Sequence, residues 1–216
     1  MQVGISPRFQ PEIVPEEEVS LLYNPRRLKI IEYLANEPCA TVSEISASAG
    51  IPVSSIRWHI GKMVDNLLLE GCVRSRYAPV GMVPYELTAL FIALHSPVEA
   101  GVVDVLIKRG SMKAREIRRA LSVSPQNLSY HLKKLVDFGI ILREEGHYSV
   151  DIDILDVQEK ASALMGEFVA NILLKGRMQG VNMEIEHMDD AYLIKVRGKK
   201  ELLMEIYEIP FHGILG

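Results

Sequence analysis

Apolar residues recur along this chain at two spacings. Leu28, Ile30, Ile31 and Leu34 form a broad stripe on one face of a helix that ends at Asn36. Asn24 followed by Pro25 supplies a cap and a first helical residue for it. Ser43 caps a shorter helix holding Ile45 and Ala49, and Gly50 then provides a turn residue free to take a positive φ. Pro52 opens a longer helix with Ile56, Ile60, Met63, Val64 and Leu67 turned inward. Beyond it the period changes to two. "LLLEGCVRSRY" and "MVPYELT" read as strands on either side of the turn "APVG".

The same order returns 72 residues later, where Leu28 to Leu69 aligns with Ala100 to Ile141 without a gap. Leu34/Leu106, Glu44/Glu116, Ile45/Ile117, His59/His131, Lys62/Lys134, Val64/Val136 and Asp65/Asp137 are identical, and the apolar pattern stays in phase throughout. The second copy begins with "SPVE", a capping box with Pro97 at the first helical position, in a helix ending near Gly110. A second helix covers Lys113 to Leu121. Ser124 and Pro125 cap and open the third, which carries Leu128, Leu132, Leu135 and Val136, and "GIILREEGHYSVDI" supplies a hairpin.

Outside the repeat, residues 1–20 form a proline-bearing acidic arm with Glu16, Glu17 and Glu18. Residues 152–176 are the longest helix. Ile154, Val157, Ala161, Leu164 and Phe168 are spaced for a coiled seam with Asn171 next in the series, or equally for a helix packed on its own domain. Residues 177–216 alternate from Val181 to His187, turn at Asp189-Asp190 and continue in the strand "AYLIKV"; "ELLMEIYEI" is a helix or a strand. They are expected to form a small α/β appendage. The expected domains are therefore residues 21–92, 93–151, 152–176 and 177–216 after the arm.

Two runs of helix, short helix, tight turn, longer helix and β-hairpin make a tandem pair of winged helix-turn-helix units. Through "TVSEISASAGIPVSSIRWHIGKM" and "KAREIRRALSVSPQNLSYHLKKL" the chain resembles the ArsR- and MarR-like winged-helix transcription regulators, in an archaeal-style tandem form. The resemblance covers about residues 24–150. It implies a mainly α fold with small β-hairpin wings, double-stranded DNA as partner, a homodimer built on the helix after the second wing, and the transcription machinery as a further partner. The metal-sensing cysteine pair of ArsR-type proteins is missing from residues 50–66, so no metal and no other cofactor is expected.

Composition narrows the chemistry. The net charge is −4 and 48% of residues are hydrophobic, which suits a folded protein and requires any basic surface to be local. Lys108 to Arg143 is such a surface, with nine basic residues against two acidic ones, a net of +7. With Ile56, Ile60 and Met63 inward, the third helix of the first unit presents Ser54, Ser55, Trp58, Gly61 and Lys62, with Arg57 on its flank. The second presents Gln126, Asn127, Tyr130, Lys133 and Lys134, with Ser129 on its flank. Hydroxyl, amide and cationic groups on one helix face can bond base edges and phosphates in a major groove. Lys113, Arg115, Arg118 and Arg119 would flank the phosphate backbone. Arg74 and Arg76 arm the first wing, whereas the second wing, "REEGHY", is acidic.

His59 and His131 lie beside the core stripe, where each bonds the first helix or a phosphate in preference to acting as a base. No Ser/His/Asp, Cys/His, paired-carboxylate or phosphate-loop arrangement accompanies them, so no enzyme is expected. Cys39 and Cys72 fit no metal-ligand spacing and read as ordinary buried thiols of a cytoplasmic protein. The sequence thus points to a cytoplasmic, sequence-specific DNA-binding regulator. The alternative is a protein-interaction module in which Trp58 and Tyr130 anchor a partner.

Overall fold

The computed structural model describes residues 21–198 and 200–216; the expected arm at 1–20 lies outside them. Helix α1 (Pro25–Asn36) starts where expected, because Asn24 Oδ1 accepts from the N–H groups of Arg26 and Arg27 at 3.1 and 3.2 Å. A two-residue strand β1 (Ala40–Thr41) then runs directly into α2 (Val42–Ala49). Thr41, not Ser43, is consequently the cap. Its extended backbone ends the strand, its Oγ1 accepts from the Glu44 N–H, and the Glu44 carboxylate returns a bond to the Thr41 N–H at 2.6 Å. Gly50 takes φ 66°, a left-handed value that costs a residue without Cβ nothing, and turns the chain into α3 (Val53–Asp65).

Helix α3 buries Ile56, Ile60 and Met63 as its spacing requires, but Leu67 is 69% exposed. The helix has stopped at Asp65, the chain reverses with Leu67 at φ 54°, and Leu68 takes the buried place. Strands β2 (Leu69–Gly71) and β3 (Arg76–Pro79) follow, in an antiparallel sheet of order β1-β3-β2. The wing turn is therefore 72–75 and not "APVG". The expected second strand is instead a 3₁₀ turn (Tyr85–Leu87) leading into α4 (Thr88–Leu94), since the apolar positions from Leu87 onward bury Leu90, Phe91, Ala93 and Leu94 on a helical stripe.

The second unit repeats the first element for element. Helix α5 (Pro97–Arg109), β4 (Met112–Lys113), α6 (Ala114–Leu121), α7 (Pro125–Asp137), β5 (Ile141–Glu144) and β6 (His147–Val150) close a sheet of order β4-β6-β5. Ser96 and Ser124 cap α5 and α7 as expected. The fold is thus mixed α and β, with two tandem winged helix-turn-helix units.

Helix α8 (Ile154–Met178) is 25 residues long and runs past both units. Its buried residues are Val157, Ala161, Met165, Phe168, Val169, Ile172 and Gly176, while Asn171 is exposed and Leu164 only half-buried. That stripe steps mostly by four and outruns the 3.5-residue repeat of a coiled seam. Of the two expectations for this helix, the structure has it packing on its own chain. Strands β7 (Asn182–His187), β8 (Ala191–Arg197) and β9 (Leu202–Tyr207) then form an antiparallel sheet of that order, and α9 (His212–Leu215) ends the chain.

The core divides in two, and the division differs from the order of the sequence. Leu28, Ile31 and Leu34 of α1, Ile56 and Met63 of α3, Met165 to Ile172 of α8, and Met183, Ile194, Val196, Met204 and Ile206 of the last sheet form one cluster. The sheet is therefore not an appendage: it covers the outer side of α1 and completes the first unit. The other cluster joins α4, α5 and α7 to Val157, Phe211 and Leu215, so α4 packs with the second unit.

Asn36 clamps the arrangement. Its Nδ2 donates to the Glu205 carbonyl at 2.8 Å, its Oδ1 accepts from the Tyr207 N–H at 2.8 Å, and its own carbonyl accepts from the Phe211 N–H at 2.8 Å. The side chain thereby satisfies the otherwise open edge of β9. Replacing Asn36 by alanine strips two of these bonds and should lower stability by about 1–2 kcal/mol. Urea unfolding followed by fluorescence of Trp58, the single tryptophan, will register the loss. An unchanged midpoint would mean that the sheet is held by its apolar face alone.

Candidate nucleic-acid interface

The two third helices turn the same face outward. On α3, Ser54, Arg57, Trp58, Gly61 and Lys62 are exposed and Ser55 is half-buried. On α7, Gln126, Asn127, Ser129, Tyr130 and Lys133 are exposed, while Lys134 is half-buried. Trp58 is 56% and Tyr130 66% exposed, and each sets its ring edge-on to the neighbouring histidine, with centroids 4.9 and 5.1 Å apart. The aromatic-histidine pair is thus a repeated local geometry. Its histidine is tucked against the unit while its aromatic faces out.

What lies beneath each pair differs, and the difference is one residue. The repeat sets Arg27 of α1 against Glu99 of α5. Glu99 is fully buried and bonds both side chains above it: its Oε1 lies 2.8 Å from His131 Nδ1 and 2.7 Å from Lys134 Nζ, with Oε2 at 2.9 Å from the same ammonium. The sequence put Lys134 on the outward face; the structure pairs it with the buried carboxylate of Glu99. In the first unit the equivalent position is a cation. Arg27 lies 5.5 Å over the Trp58 ring and donates through Nη1 to the Leu21 carbonyl. His59 is buried with no hydrogen-bond partner for Nδ1 among the described residues, and burial, then the charges of Arg27 and Arg26, hold its pKa below the usual histidine value. Lys62, the counterpart of Lys134, is left exposed and unpaired among the described residues.

Each unit also carries a groove between its second and third helices. The first, about 470 Å³, gathers Thr41, Ser43, Arg57, Arg74 and Ser75. The second, about 370 Å³, gathers Arg115, Arg118, Ser129 and Tyr148. The cation and the hydroxyl change sides: Ser43 and Arg57 of one unit correspond to Arg115 and Ser129 of the other. Both grooves can hold an oxyanion between a guanidinium and a hydroxyl.

Of the first wing's two arginines, Arg74 at the turn is exposed and Arg76 is not. Arg76 points inward and donates to the Cys39 carbonyl at 2.8 Å and the Glu44 carboxylate at 3.0 Å, with its side chain 18% exposed. The sequence put Arg76 beside Arg74 on the wing; the structure pairs it with Glu44. Lys113 is exposed just before α6, and Arg119 is exposed on it. In the second wing Arg143 lies 5.6 Å over the Tyr148 ring behind the Glu145-Gly146 turn. Lys175 of α8 donates to the Asn66 and Leu67 carbonyls and so fixes the exit from α3. The sequence reading missed the Arg27/Glu99 inversion, although extending the repeat by one position brings it into view. It missed the contact between Cys39 and Cys72 as well, which no spacing rule announces.

Residues 22–72 and 94–144 each match the helix-turn-helix domain family. A relative, an HTH-type transcriptional regulator of the archaeon Methanocaldococcus jannaschii, is 28% identical over 135 residues, which cover 61% of this chain but 34% of that protein. The chain thus spans about a third of that relative's length. Two solved structures have slighter likenesses: the mRNA-binding domain of elongation factor SelB from E. coli in complex with SECIS RNA (15% identity, 58% of this chain and 98% of that one, TM-score 0.23), and T. acidophilum IdeR (17%, 86% and 92%, TM-score 0.24).

Among the described residues no single helix is long and apolar enough to cross a membrane. The lowered pKa of His59 fixes the sign of a pH effect. The unfolded chain binds the proton more readily, so this stability is fully present above the unfolded histidine value, about 6.5, and is lost as pH falls through the folded value. Urea midpoints should therefore fall between pH 7.5 and pH 5.5, and the fall should be smaller in His59→Gln. Equal slopes in the two proteins would show that His59 is not the group responsible.

Proposed function

Two tandem helix-turn-helix domains form the body of this chain, and from them we propose that it is a DNA-binding transcription regulator that lays α3 and α7 in major grooves of double-stranded DNA. The observation that carries the reading is the doubled outward face: each third helix offers polar and cationic side chains with an arginine-bearing groove at its flank. Arg57, Arg74 and Lys62 in the first unit, and Lys113, Arg115, Arg118 and Lys133 in the second, neutralise phosphates. Such contacts dominate affinity and its salt dependence. Ser54, Ser55, Gln126, Asn127 and Ser129 are placed to read base edges, and Trp58 and Tyr130 to pack on thymine methyls or sugars.

The reading assigns the protein binding without a reaction of its own, in the cytoplasm. It includes a homodimer, for which exposed Leu174 and Met178 of α8 offer apolar surface. The same exposure of Trp58 and Tyr130 supports a second reading, in which these rings anchor a partner protein.

Fluorescence anisotropy on genomic and random duplexes at two salt concentrations tests the proposal. Arg118→Ala and Lys133→Ala should weaken binding to every sequence and lower the salt slope by about 1 each. Gln126→Ala and Asn127→Ala should lose about 1–3 kcal/mol on the preferred sequence and little on random DNA. Lys134→Ala should leave the salt slope nearly unchanged while lowering stability. No binding at low salt would transfer support to the protein-partner reading.

A further inference from the structure

Cys39 and Cys72 are 33 residues apart in sequence, yet their sulfurs are 3.1 Å apart and both are free thiols. Their places in the fold are unlike. Cys39 is fully buried in the turn between α1 and β1, at φ 63°, a left-handed conformation that a residue with Cβ adopts only when its surroundings hold it there. It belongs to the second unit's core although the sequence places it in the first. Cys72 is half-buried at the root of the wing, where its N–H donates to the Arg76 carbonyl at 2.7 Å and closes the turn that carries Arg74. Arg76 in turn donates to the Cys39 carbonyl, so one guanidinium braces both cysteine segments.

We propose that Cys39 and Cys72 form a hydroperoxide-responsive dithiol that closes to an intramolecular disulfide and resets the first wing. Cys72, accessible from solvent, is the attacking sulfur and Cys39 the resolving one. The Cys39 thiol donates to Cys72, which pulls the Cys72 pKa below the ordinary thiol range, whereas that same bond and then burial push the Cys39 pKa up. In the first step the Cys72 thiolate attacks the peroxide: an S–O bond forms, the O–O bond breaks and an alcohol or water leaves with a proton. In the second, Cys39 attacks the sulfenic sulfur: the S–S bond forms, the S–O bond breaks and water leaves with the Cys39 proton. Two thiols are oxidised by two electrons and one peroxide is reduced.

A disulfide requires the sulfurs at about 2.0 Å, roughly 1 Å closer than the thiols stand. Cys39 is set in the core, so the wing root supplies the movement, and Arg74 lies two residues beyond it. The consequence for DNA rests on the function proposed above; the disulfide itself does not.

The experiment treats the full-length protein with a small excess of hydrogen peroxide. Intact mass and thiol counting should show the loss of two hydrogen masses and of both thiols in the monomer, reversed by dithiothreitol. Cys72→Ser should lose the reaction altogether. Cys39→Ser, if it folds, should stop at a trappable sulfenic acid on Cys72. Disulfide-linked dimers, or oxidation of Cys72 to sulfinic acid with Cys39 still free, would overturn the pairing. DNA binding of the oxidised protein should be roughly three- to tenfold weaker, as for one displaced wing contact. A disulfide that forms and leaves a measurable DNA affinity unchanged would overturn the resetting of the wing. Absence of DNA binding in both states, with the disulfide forming, would strike the proposed function and leave the dithiol standing.

Discussion

A winged helix-turn-helix unit of some fifty residues has one element with too much apolar surface: its first helix must bury two sides, and its own second and third helices cover only one. Everything else in this chain follows from how that second side is closed. For α1 the cover is the sheet β7-β8-β9 with the later part of α8; for α5 it is α4 with Phe211 and Leu215 of the carboxyl-terminal turn. Neither cover takes the outward faces of the third helices, where Trp58, Lys62, Gln126, Asn127 and Tyr130 stay exposed. The outward faces of α3 and α7 are therefore free because the burden of closing the core has been put elsewhere.

Within that frame a single charge reversal makes the two copies unequal. Glu99 bonds His131 and Lys134 in the second unit, whereas Arg27 in the same place disfavours a charge on His59 and leaves Lys62 exposed. A buried carboxylate bonded by an ammonium and an imidazole is costly to leave half-satisfied, so the second unit's third helix is tied firmly to its first. The first unit has no such tie. It retains Lys62 for solvent and receives Lys175 of α8 at the end of α3 instead.

Much of this was legible in the sequence. Helical periodicity, Asn24, Ser96 and Ser124 as caps, and the ungapped repeat were sufficient for α1, α3, α5 and α7 and for the outward faces of the two third helices. The misses share one physical cause: they depend on partners distant in sequence. The strand β1 exists because β3 pairs with it, and it moves the cap from Ser43 to Thr41. Arg76 and Lys134 look free in sequence, but the carboxylates of Glu44 and Glu99 bind them. "MVPYELT" alternates like a strand; the apolar residues after it, packed on α5, make it a helix start. The tail was read correctly in its strands β7 and β8 but not in its role, since alternation tells which face is buried and not against what.

Helix α8 joins these parts in a way that limits motion. Near one end Val157 is embedded in the second core, and from Met165 to Ile172 it is embedded in the first. A rod of roughly 37 Å with both halves sunk in separate cores cannot pivot without opening one of them. The two third helices therefore keep a set offset and pitch, and under the proposed function a duplex would have to match that gauge through its own bend and twist. Base steps lying between the two footholds, touched by no side chain, would then count in selection through their stiffness alone.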